Sequence, residues 1–144
     1  MYHKTITLFN YHKPTGKWYP SVISGVDLIG NTASTATKEG VNNGDTVDVI
    51  IHCTRGRVIT TSAGPKPYLP PKLYAEHNPL SGLITFVPEQ DFIYEGEWPD
   101  LAVIDDEDYE SGFYHEMNNT YDGVYLITSA VFCDLLPHFE IGGR

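Results

Sequence analysis

Apolar residues in this chain recur at every second position far more often than every third or fourth, which points to strands rather than helices. Thr5-Ile6-Thr7-Leu8-Phe9 alternates cleanly, and Asn10–Lys17 follows with Pro14 and Gly16 as a turn signal. Trp18–Ile29 reads as the second strand of a hairpin, with Trp18, Val22, Val26 and Leu28 on one face and Pro20 at an edge or bend. Thr46–Cys53 places Val47, Val49, Ile51 and Cys53 on one face of a third strand. Leu83–Val87 and Phe92–Glu95 read as short strands separated by Pro88–Asp91, Val124–Cys133 as a long apolar strand, and Phe139–Ile141 as a short last one.

One segment departs from this period. Tyr109, Phe113 and Met117 recur every four residues, so Asp105–Asn119 is the helix expected. Its acidic start suits the positive end of a helix dipole, although Gly112 costs about 1 kcal/mol relative to alanine. The expectation is a mainly β chain: a small β-barrel or sandwich of about seven strands with one short acidic helix. Residues 1–144 read as a single domain. Long loops are expected at 31–44, which is small and polar, and at 54–80, which holds Pro65, Pro67, Pro70, Pro71 and Pro79.

Charge is unevenly divided along the chain. Residues 1–72 hold eight basic and four acidic side chains, while 73–143 hold fifteen acidic and no basic ones. The two parts are therefore +4 and −15, against a net −10 for the chain. That balance argues against nonspecific binding to nucleic acid or anionic membranes. No apolar run approaches the ~20 residues that span a bilayer. The N-terminus shows no apolar signal region, so no secretory signal is expected.

Catalytic and metal chemistry find little footing in the residue order. The acidic run Asp105–Gly112 fails the EF-hand register: with Gly112 at position 6, Tyr109 falls where an oxygen ligand belongs. The six histidines show no HExxH or other tight metal spacing. Gly142-Gly143 reads as a tail. Cys53 and Cys133 sit in apolar runs and read as small buried hydrophobes. No catalytic residue, cofactor site or metal site is therefore expected, and the chain reads as a non-enzyme.

Several segments carry a resemblance by their order: TITLFN at 5–10, WY at 18–19 followed by VISGV at 22–26, YLPPK at 68–72, SGLITF at 81–86, DFIYEGE at 91–97 and LPHFEIGG at 136–143. Together they resemble a family of small proteins encoded in the head–tail module of tailed phages and prophages of Gram-positive hosts, labelled minor capsid or head–tail connector proteins. Here Glu95 stands where that family usually has lysine, and Glu140 and Gly142 stand where it has lysine or valine.

The resemblance implies a structural virion protein of the phage neck, a head-closure (stopper) or connector subunit made of a small β-barrel. Such subunits form a homo-oligomeric ring, commonly about twelve-fold, below the portal and adaptor and above tail-completion or tail proteins. DNA passes through the ring. The location implied is the head–tail junction, after assembly in the host cytoplasm. In that setting Arg55, Arg57, Lys66 and Lys72 are the candidate channel or subunit-contact loop. Glu95, Glu97, Asp105, Asp106, Glu107, Asp108 and Glu110 are the candidate acidic face or lumen, where carboxylates would keep DNA from sticking. Two other classes stay open: an acidic DNA mimic that inhibits a host DNA-binding protein, and a tail host-binding module using some of the ten tyrosines.

Overall fold

In the computed structural model, which describes residues 3–31, 46–77 and 82–144, one long strand organises the molecule. Strand β1 (Lys4–His12) turns into β2 (Lys17–Asn31), and a register shift between Lys4 and Ile6 lets β2 curve away from its partner. The first half of β2 pairs with β1; its second half pairs with β3 (Thr46–His52). β3 pairs with β9 (His138–Gly143), β9 with β8 (Val124–Cys133), β8 with β6 (Phe92–Glu95), and β6 returns to β1. The result is a closed six-stranded antiparallel barrel. A two-residue strand, β7 (Ile104–Asp105), attaches to β2 at Lys17–Trp18.

The alternation read from the sequence fills the barrel. Val47, Val49 and Ile51 point inward from β3, and meet Leu8, Val26, Phe86, Ile93, Ile127, Phe139 and Ile141. A second apolar cluster lies outside the barrel wall: Phe9, Trp18, Phe92, Phe113, Met117 and Val124. This is why β1 is buried on both faces over Ile6–Asn10, and why Trp18 does not share a face with Val26 and Leu28 as its spacing suggests.

Three expected segments differ. The expected long loop 54–80 is, over its described residues 54–77, not a loop: β4 (Val58–Thr61) and β5 (Gly64–Pro67) form a separate hairpin, followed by helix α1 (Pro71–Glu76), while 78–80 lie outside the described residues. The prolines are compatible with this because a two-stranded ribbon is all edge, and because proline suits the first turn of a helix. The helix expected over 105–119 is split. Asp106–Asp108 form a 3-10 turn, and helix α2 spans Phe113–Thr120. Gly112 adopts φ +94°, a conformation that ends one element and starts the next. Leu83–Val87 is no strand; it contributes only a bridge from Ile84 to Tyr68, and buries Ile84, Thr85 and Phe86.

Gly142 and Gly143 are not a tail either. Both lie in β9, and Gly143 packs so closely that an added Cβ would stand 3.1 Å from Tyr125 Cβ and 3.2 Å from the Leu126 carbonyl. The expected loop 31–44 lies, apart from Asn31, outside the described residues.

Candidate functional site

The charge division of the sequence maps onto two excursions from the barrel. The first, residues 54–77, packs on the main core through Ile59 and Tyr68. Ser62 N–H donates to the Val22 carbonyl (2.9 Å) and Tyr68 N–H to the Arg57 carbonyl (2.9 Å). Arg55 and Lys72 are exposed on it. Arg57 sits at φ +64° in the Thr54–Arg57 turn, and its guanidinium lies 4.5 Å from the Phe132 ring centroid.

Lys66 departs from its expected role. It is buried, and its ammonium donates to Ser21 Oγ at 2.8 Å with no carboxylate in ion-pair range among the described residues. Burial pushes its pKa down. It therefore points into the contact between the hairpin and β2 rather than reaching toward a neighbour.

The second excursion, residues 95–123, covers the outer aromatic cluster and carries the acidic charge. Glu95 pairs with Lys4 (3.6 Å) and Asp105 with Lys17 (3.4 Å), both at the surface. Glu97, Asp100, Glu107, Asp108, Glu110, Glu116 and Asp122 are exposed and make no ion pair with a described residue.

Asp106 is the exception in this excursion. Its Oδ1 accepts from Trp18 Nε1 and from the Phe113 backbone N–H, both at 2.8 Å. Gly112, the N-cap of α2, has no side chain to offer its helix, so Asp106 supplies the cap from an earlier turn. Of the candidate acidic face, Asp106 is thus structural. Glu97, Glu107, Asp108 and Glu110 are surface charge without an ion pair among the described residues, while Glu95 and Asp105 each pair with a lysine.

The two excursions meet at a pocket lined by Tyr19, Pro20, Ala63, Lys66, Leu101 and Val103. Tyrosine exposure is narrow: among the described residues only Tyr121 is exposed, which leaves little aromatic surface for stacking a sugar or base.

Two groupings escaped the sequence reading. Asp91 is fully buried, with Oδ2 accepting from Asn10 Nδ2 (2.8 Å) and Val87 N–H (3.0 Å) and Oδ1 from Tyr11 N–H (2.9 Å). Burial raises its pKa to about 7, against those hydrogen bonds, which lower it. The other grouping is on the outer face of the β8–β9 hairpin, where the ligand atoms of Cys133, His138 and Glu140 lie within 4.8 Å of one another. Cys133 is therefore not the inward-facing hydrophobe its apolar run suggests.

Taken together, these features define a closed antiparallel barrel with two oppositely charged excursions and a mixed-ligand cluster on one hairpin. The chain belongs to DUF6751, a family of unknown function whose pattern spans residues 1–144. No curated protein and no solved structure matches it. No described helix is long and apolar enough to cross a membrane.

Proposed function

We propose that the chain is a structural subunit of a phage head–tail connector, joining copies of itself into a ring at the virion neck through which DNA passes. The observation that carries this reading is the segregation of unpaired charge on one barrel. One excursion presents Arg55, Arg57 and Lys72, and the other presents Glu97, Asp100, Glu107, Asp108 and Glu110. A head-to-tail ring interface joins two different faces of the same subunit, and opposite charge orients that encounter. The β8–β9 turn adds apolar contact: Leu135 is 86% exposed and Leu136 is 75% exposed. Carboxylates left over after pairing would line the passage and repel DNA phosphates. Arg55 and Arg57 are the groups able to touch phosphate transiently.

The test is quantitative mass spectrometry of purified particles carrying the gene. The expected result is several copies per particle, in fixed proportion to the portal protein. Absence from particles would overturn the reading. Salt-sensitive capture of a basic host protein by a monomer would favour instead the DNA-mimic reading, which the unpaired carboxylates also support.

A further inference from the structure

The β8–β9 hairpin brings three chemically different metal ligands to one face. Cys133 and His138 are direct partners across the strands, so their side chains leave the sheet on the same side. Glu140 follows His138 by two residues and shares that side. Phe139 and Ile141 alternate with them and point into the core, which fixes the register.

The imidazole is held as a metal ligand needs to be. His138 Nδ1 lies against the Leu136 carbonyl, which accepts a hydrogen bond from it and so fixes the neutral ring as the Nδ1–H tautomer. Nε2 is then the nitrogen with a free lone pair, and it faces Glu140 Oε2 at 3.0 Å. A lone pair and a carboxylate that close repel each other unless a positive charge lies between them. In the free chain a proton can sit there.

We infer that Cys133 Sγ, His138 Nε2 and Glu140 carboxylate form a binding site for Zn2+ at the end of this hairpin. Thiolate, imidazole and carboxylate together select a borderline-soft ion over Ca2+ or Mg2+, which take oxygen ligands. Tetrahedral zinc with ordinary bond lengths places its ligand atoms about 3.3–3.6 Å apart. The three ligand atoms, within 4.8 Å of one another on the outer face of one hairpin, stand near that spacing. Three protein ligands leave the fourth position to water. His52 stands opposite His138 on β3, with its ring turned toward Asp27 at 3.9 Å.

Binding displaces the proton shared by histidine and carboxylate, and removes the thiol proton. Because these protons are released on binding, affinity rises with pH. This site is independent of the ring reading and stands or falls by itself.

The test is titration of the purified full chain with Zn2+ by calorimetry, and with Co2+ by absorption. The expected result is one ion per chain, with a thiolate-to-cobalt charge-transfer band. Cys133→Ser should abolish the band, and His138→Gln and Glu140→Gln should each weaken zinc at least about tenfold. Cys53→Ser is the control and should leave both signals unchanged. All three ligand residues lie on an outer face, and circular dichroism checks that each variant is folded. No zinc heat and no cobalt band in the folded chain would overturn the site, as would a band that survives Cys133→Ser.

Discussion

The two excursions from the barrel are alike in length and opposite in charge, and each keeps one charged residue for internal use. In residues 54–77 that residue is Lys66, buried against Ser21. In residues 95–123 it is Asp106, which holds Trp18 and caps α2. The two are not equivalent. Asp106 accepts two directed donors and stays partly solvated, so it gains more than it loses. Lys66 has one hydroxyl partner and little water, so its ammonium is held at a cost. The acidic excursion thus depends on its charge for structure at one point, while the basic one tolerates a charge in the same kind of place.

That contrast can be broken by substitution, and Asp91 sets its upper scale. Asp91→Asn should destabilise the fold by about 3 kcal/mol at pH 4, because an amide group turns a donor toward a donor in a fully buried site. Its folded pKa of about 7 stands above the reference 3.8, so the folded chain holds the proton more tightly. Wild-type stability should therefore fall as pH rises between about 4 and 7, and the variant should lose that slope. Urea melts across this range read both effects.

Asp106→Ala should cost about 2–3 kcal/mol, since the Trp18 indole N–H and the Phe113 amide lose their acceptor together. Glu107→Ala, one residue away and exposed, should cost under about 0.5 kcal/mol. Equal losses at the two positions would dissolve the distinction drawn for Asp106.

Lys66→Met should change stability by no more than about 1 kcal/mol at neutral pH, and in the stabilising direction. The folded pKa of Lys66 lies below its reference value of 10.5, so the unfolded chain binds the proton more tightly. Wild-type stability should then gain as pH rises toward 10.5, and the methionine variant should lack that gain. A loss of several kcal/mol would mean that the ammonium holds the hairpin more strongly than its single hydroxyl partner explains.

The smallest effect on folding, and the one aimed at assembly, belongs to the free charges. Arg55→Glu with Arg57→Glu should leave the melting midpoint within a few degrees, apart from the lost Arg57–Phe132 contact. It should reduce self-association measured by sedimentation. Unchanged association would remove the basic turn from the interface.

The sequence reading succeeds where order along the chain is also order in space. β3 is legible because its alternation is the alternation of a barrel wall, while β6 and β8 are legible as apolar runs of strand length. Residues 54–77 are obscured because proline reads as a breaker, although Pro65 and Pro67 lie in a ribbon that is all edge. The helix over 105–119 is over-read because Tyr109 and Phe113 do touch, at 5.1 Å between rings, but across the break at Gly112 rather than along one helix. The burial of Asp91 and Lys66 is set by distant partners, Asn10 and Ser21, which no local pattern reveals. The Cys133–His138–Glu140 grouping is within reach of the sequence: both strands are expected from it, and the register of their hairpin is the signal that pairs the cysteine with the histidine.

The proposed meeting of opposite charges between copies is tested most directly by zero-length carboxyl–amine cross-linking of mixed 14N- and 15N-labelled chains. The acidic excursion contains no lysine, so an amine joined to it comes from elsewhere in the same chain or from another copy. The expected result is mixed-isotope links between Lys72 and carboxylates of residues 97–122, lost as salt is raised. Links confined to chains of a single isotope, at every protein concentration and salt, would contradict it.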